Sequence, residues 1–178
     1  MQFKVLGEKG KPIVVMLTGS FCPGECLDYI YSRMKNYYII VPTYNGHYKD
    51  SNDFTTRENE AREIREYLYG LGIERIHLIY GQSMGAEIGM ELYRQLSSEG
   101  IIVSNLFFDG APMIRLSGAY KAFMRFKFGT MIKLFRDNTV EKAYPYANYR
   151  IEKGHGHMTY SCEHTDEYVN WLKDIIEG

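Results

Sequence analysis

The fold class this chain predicts is α/β, a mostly parallel sheet with helices on both faces, and three observations carry it. Short apolar runs alternate with stretches of helical period from residue 2 to about residue 108. Ile13–Leu17 is wholly apolar and His77–Tyr80 makes a short buried-strand run, as a parallel sheet covered on both faces requires. At residues 81–85 one run passes directly into a helical stretch through Gly81-Gln82-Ser83-Met84-Gly85.

In chain order, strands are expected near residues 2–6, over Ile13–Leu17, and over 38–42, 76–80 and 103–108. Helices are expected between them from about Gly24 to Lys35, from about Arg57 to Leu71, and over roughly Ala86–Ser97, where Ile88, Leu92 and Leu96 recur at helical spacing. Thr55, followed three residues later by Glu58, reads as a capping box opening the second helix, with Ala61, Ile64 and Leu68 inward. Among the 16 tyrosines, Tyr29, Tyr31, Tyr37 and Tyr38 are expected to bury their rings and keep their hydroxyls wet. No repeat, low-complexity segment or linker divides the 178 residues, so one domain is expected over 1–178.

Composition narrows the function. With 45% hydrophobic residues and a formal net charge of −1, the chain matches neither a disordered segment nor a polyanion-binding surface, and nucleic acid is not an expected partner. The apolar runs fall far short of the roughly 20 residues that span a bilayer. Met1-Gln2-Phe3-Lys4 lacks the basic and apolar regions of a signal peptide, and three cysteines do not make a disulfide framework, so a cytoplasmic location is expected. Cys22, Cys26, His155 and His157 have spacings that metal ligands use, but His155 and His157 stand too close together for the H-x₃₋₅-H pair of a structural zinc site, and no metal is expected. Cys162 reads as a small apolar filler.

Chemistry concentrates at residues 81–85. A serine on a sharp strand-to-helix turn tolerates only small neighbours, which accounts for Gly81 and Gly85 at those offsets. Ser83 is the expected nucleophile. The turn aims the backbone N–H of Met84 at the place where an oxyanion forms, and the following helix points its positive end there.

From this turn outward the chain resembles the α/β-hydrolase family over nearly its whole length. Thr18-Gly19-Ser20-Phe21, after the early strand, is similar to the His-Gly-x turn that supplies the second oxyanion N–H; the match implies Ser20, with Phe21 as the neighbouring alternative. Thr43-Tyr44-Asn45-Gly46-His47 resembles the segment beside the family's active site. Tyr149–Glu152 followed by Lys153-Gly154-His155-Gly156-His157-Met158 is similar to the strand and turn carrying the catalytic histidine, which implies His157. Between them, residues 113–145 hold a basic, near-helical stretch, either a short lid over an apolar acyl pocket or a helix packed on the sheet.

A Ser–His pair needs a third group to orient the imidazole and stabilise its charged form. Asp109 follows the apolar strand Asn105–Phe108, and Asp137 follows Met131–Phe135; Asp109 is favoured because its strand is the better one, and Asp137 stays open as the alternative acid. The family likeness implies a serine hydrolase that cleaves an ester, thioester or amide of a small acyl substrate through an acyl-enzyme, with no cofactor. If the shortened C-terminal half lacks the acid, a non-catalytic binding domain results, and pairing with a second copy in a homodimer could cover an exposed sheet edge.

Overall fold

The apolar runs form the expected strands: β1 (Gln2–Leu6), β2 (Ile13–Leu17), β3 (Tyr38–Thr43), β4 (Arg75–Gln82) and β5 (Ile102–Asp109). The computed structural model describes residues 1–110, 148 and 158–178. The chain divides into two compact units, Met1–Ala111 with Gly154–Gly178 and Pro112–Lys153. All five strands belong to the first unit. The stretch expected as a lid or packing helix at 113–145 and the strand expected at Tyr149–Glu152 lie outside the described residues.

The sheet order is β1-β3-β2-β4-β5, with β1 antiparallel to β3 and every other pairing parallel. Val14, Val15, Met16 and Leu17 of β2 have no solvent exposure, as a central strand covered on both faces requires. On one face Val14, Met16, Ile39, Val41, Leu78 and Tyr80 form a core with Ile30 and Tyr31, and with Tyr168, Val169 and Leu172. On the other, Val15, Leu17, Ile40 and Ile79 pack beneath helices α2 (Arg57–Gly70) and α3 (Met84–Ser98) through Ala61, Ile64, Leu68, Ile88, Leu92 and Leu96. No described helix is long and apolar enough to cross a membrane.

Three local expectations are corrected. The helix expected from Gly24 to Lys35 is a 3₁₀ turn, Gly24–Leu27, running into the single-turn helix α1 (Asp28–Tyr31). Tertiary contacts overrule its period. The Gly24 N–H donates to Thr43 Oγ1 at 2.9 Å, pinning its start to β3, and the chain must turn back through residues 32–37 so that Tyr38 can donate to the Pro12 carbonyl at 3.0 Å. Helix α2 is capped by Thr56, not Thr55: the Thr56 hydroxyl accepts from the Asn59 N–H at 3.2 Å, and Thr55 accepts only from the Asn59 side chain. Cys162 is exposed rather than buried as filler; it lies on α4 (Thr159–Glu163).

The second C-terminal helix, α5 (Thr165–Glu177), has no counterpart among the expected elements. Its signal is present in the chain, because Tyr168, Val169, Leu172, Ile175 and Ile176 fall on one helical face. Of the four tyrosines, Tyr31, Tyr37 and Tyr38 are buried and Tyr29 is half-buried, but three hydroxyls expected in water bond protein instead: Tyr31 accepts from Lys4, Tyr37 donates to Glu177, and Tyr29 meets Gln82 and Ser161.

Moving the cap by one residue has a measurable consequence. Thr56→Ala should lower the unfolding free energy by about 1 kcal/mol, whereas Thr55→Ala, at an exposed side-chain contact, should cost a fraction of that; urea unfolding midpoints of the two variants separate them.

Candidate active site

After β2 the chain places β3 on one side, then returns across β2 to place β4 on the other. The carboxyl ends of β2 and β4 therefore flank a topological switch point, where open α/β sheets form their crevice. Ser83 follows β4 and the loop 18–22 follows β2, so both leave the sheet at that switch point.

Ser83 has φ 51° and ψ −118°, a conformation that costs a non-glycine residue about 1–3 kcal/mol. Its surroundings hold it there. Its N–H donates to the Asp109 carbonyl at 2.8 Å, and its own carbonyl accepts from the Ala86 N–H at 3.0 Å. A serine just before a helix ordinarily turns its hydroxyl back to cap the first amides; Ser83 makes no such bond.

The glycines flanking it have steric reasons. A Cβ on Gly81 would lie 2.6 Å from the Gly85 carbonyl oxygen, and one on Gly85 would lie 2.4 Å from the Leu17 oxygen and 2.5 Å from the Thr18 oxygen. The first turn of α3 thus rests directly on the backbone where β2 ends. A Cβ on Gly19 would stand 3.4 Å from Ser83 Cβ, which puts the loop after β2 against the serine.

That loop is held by side chains from elsewhere. The Thr18 hydroxyl donates to the Cys22 carbonyl at 2.7 Å, and the Thr18 carbonyl accepts from the buried Tyr44 hydroxyl at 3.2 Å. Ser20 is exposed and Phe21 is 94% exposed at φ 62°. The Phe21 N–H donates to His47 Nε2 at 3.0 Å, and His47 Nδ1, which must then carry the proton, bonds the Asn45 carbonyl at 3.0 Å. The Phe54 and Tyr44 rings meet His47 edge-on. Beneath them Asn45 donates its backbone N–H to Glu60 at 3.1 Å and its side-chain amide at 3.2 Å. Burial pushes the Glu60 carboxyl above its usual range, and the Asn45 bonds pull it back.

Asp109, half-buried, stands opposite Gln82 in the register of β5 with β4. Its Oδ2 accepts from the Tyr168 hydroxyl at 2.9 Å. The structure thus brings together Ser83, Met84, the loop of Ser20 and Phe21, and Asp109. His157, His155 and Asp137 lie outside the described residues. Among the described residues, no group of three or more His, Cys, Asp and Glu could hold a metal ion. Pattern reading does not reach His47 as a partner of the Phe21 amide, or Tyr168 as a partner of Asp109, since both contacts join segments far apart in the chain.

Solved structures of the same architecture are similar to this chain. One is an α/β-hydrolase family protein from Desulfitobacterium hafniense, at 24% identity over 68% of this chain and 49% of that one, with a TM-score of 0.62. The type II thioesterase BorB from the borrelidin biosynthetic cluster is similar at 16% identity over 71% of this chain and 60% of that one, TM-score 0.59. The chain has the α/β-hydrolase fold. An esterase from a marine microorganism is similar as well, at 20% identity over 70% of this chain and 48% of that one, TM-score 0.53. The chain spans about half the length of these solved structures. No protein-family model and no curated protein matches it. Within the α/β-hydrolase fold, Ser83 occupies the strained strand-to-helix turn at the carboxyl edge of the sheet.

Gly85 is the most confined glycine of the turn. Gly85→Ala would drive a methyl into two backbone carbonyls that cannot move independently of β2, so it should destabilise the fold by about 3 kcal/mol, read by urea or thermal unfolding.

Proposed function

We propose that this protein is a serine hydrolase acting on an ester, thioester or amide of a small acyl substrate. The observation that carries the reading is Ser83, held at φ 51° at the switch point with its hydroxyl unused as a helix cap. The esterase and thioesterase among the similar structures support it by their shared chemistry, the transfer of an acyl group from oxygen or sulfur to water.

In this reading Ser83 Oγ attacks the acyl carbonyl carbon and its proton passes to His157. The negative charge that develops on the carbonyl oxygen is met by the N–H of Met84 at the start of α3 and by the N–H of Ser20. Phe21 is the weaker alternative for the second donor, because its N–H is engaged by His47. The intermediate collapses by breaking the bond to the leaving group, which takes the proton from His157. Water, deprotonated by His157, then attacks the acyl-enzyme and restores Ser83. Asp109 is the acid that orients His157: it lies one strand from the serine, and its backbone carbonyl already holds the Ser83 N–H. Asp137 is the alternative acid. No step calls for a cofactor.

Reaction with a fluorophosphonate tests the nucleophile with little demand on substrate fit. The parent should label at one site and Ser83→Ala should not label, with both unfolding at similar denaturant concentrations; equal labelling of the two removes Ser83 from the mechanism. A folded parent that neither labels nor cleaves p-nitrophenyl esters would instead be a hydrolase-like binding domain.

The histidine assignment separates neighbours two residues apart. His157→Ala should abolish turnover of p-nitrophenyl acetate and His155→Ala should change it little, and the parent rate should fall below about pH 6.5 as the imidazole takes up a proton. For the acid, Asp109→Asn should cut the rate by about four orders of magnitude while Asp137→Asn leaves it nearly unchanged, and the reverse result moves the role to Asp137.

A further inference from the structure

Hydrogen-bonded hydroxyls, buried or half-buried, lie behind the candidate site and take no part in the proposed reaction. The Tyr168 hydroxyl donates its single proton to Asp109 Oδ2 at 2.9 Å. The Tyr80 hydroxyl lies 3.2 Å from that of Tyr168, and because the Tyr168 proton is committed, Tyr80 is the donor between them. Gln82, the residue before Ser83, is buried two residues along β4 from Tyr80. It donates to the Tyr29 hydroxyl at 2.8 Å. Tyr29 in turn meets Ser161 Oγ at 3.0 Å, and Ser161 donates to the Met158 carbonyl at 2.8 Å. Two hydrogen-bonded chains thus start from neighbouring positions of β4, one running from Tyr80 through Tyr168 to the Asp109 carboxylate and the other from Gln82 through Tyr29 and Ser161 to the Met158 carbonyl.

We infer that Tyr168 is a positioning residue for the catalytic acid, fixing the orientation of the Asp109 carboxylate through its Oδ2. The inference rests on the reading of Asp109 as that acid. A carboxylate at the end of a strand can swing about two side-chain torsions, and an orienting acid must not swing. Tyr168 is 3% exposed on a helix whose neighbouring residues Val169 and Leu172 are core. Its ring is boxed by Tyr80 and Phe107, with ring centroids 6.3 and 5.6 Å away. Burial first, then the neighbouring Tyr80 and Asp109, push the phenol well above its usual range, which favours the neutral, proton-donating form. A rigid donor from the helix layer therefore meets a carboxylate from the sheet.

The test is the kinetics of fluorophosphonate labelling of the full chain. Tyr168→Phe removes one hydroxyl and keeps the ring; it should lower the maximal labelling rate by about ten- to a hundred-fold, with the half-saturating probe concentration unchanged. In an Asp109→Asn background the same substitution should have no further effect, since no working acid remains to be positioned. Tyr80→Phe should give a smaller loss in the same direction, and it carries the test if Tyr168→Phe fails to give a cooperative thermal transition. A Tyr168→Phe rate equal to that of the parent overturns the inference, as does a full additional loss in the Asp109→Asn background. Asp109→Asn at parental rate overturns the reading of the acid and the inference with it, and a parent that does not label overturns both together with the hydrolase reading. A loss in Asp109→Asn with none in Tyr168→Phe or Tyr80→Phe overturns the positioning role alone.

Discussion

The close seating of α3 on the end of β2 governs the rest of the site. At Gly85 the helix backbone approaches the Leu17 and Thr18 carbonyls so tightly that a methyl would stand 2.4 and 2.5 Å from them. Because the helix begins there, the chain leaving β4 must reverse within one residue, and that residue is Ser83 with its positive φ. The same contact carries the loop after β2 up to the serine, since Gly19 faces Ser83. The strain at Ser83 persists because β5 supplies the Asp109 carbonyl for its N–H, so three strands and one helix determine one torsion angle.

What can be read from residue order follows from the range of the interaction concerned. The parallel core was legible because Val14–Leu17 and the runs near Ile39 and Ile79 are apolar on both faces, which needs no knowledge of their partners. Gly81 and Gly85 were legible for a similar reason, as sterics impose their type at fixed offsets from the serine. The helix expected at Gly24–Lys35 was misjudged because a bond from Gly24 to Thr43, 19 residues away, outweighs local period. Thr55 and Thr56 share one chemistry, and only the observed bond to the Asn59 N–H separates them. Helix α5 carries a clean apolar face in its sequence, but the role of Tyr168 within it depends on a carboxylate 59 residues earlier.

A second polar layer holds the other wall of the crevice. Glu60 is almost fully buried and is held by the backbone and side-chain amides of Asn45. Asn45 in turn presents its carbonyl to His47, and His47 accepts the amide of Phe21. The strained backbone of Phe21 is thus tied through an imidazole to a carboxyl group in helix α2. The wall beside the serine is stiffened from the opposite helix layer to the one that supplies Tyr168.

The strand order also has a consequence for how the protein is made. The edge of β2 that pairs with β3 is covered early, but its other edge awaits β4, whose residues 75–82 follow a 14-residue helix. Until they emerge from the ribosome, a fully apolar strand presents an open ladder of amides and carbonyls, a hazard for association with other nascent chains. The serine turn cannot close even then, because its N–H requires the carbonyl of residue 109. The turn is therefore a late product of synthesis, and a chain released before β5 is complete would contain Ser83 without the conformation that defines its place in the fold.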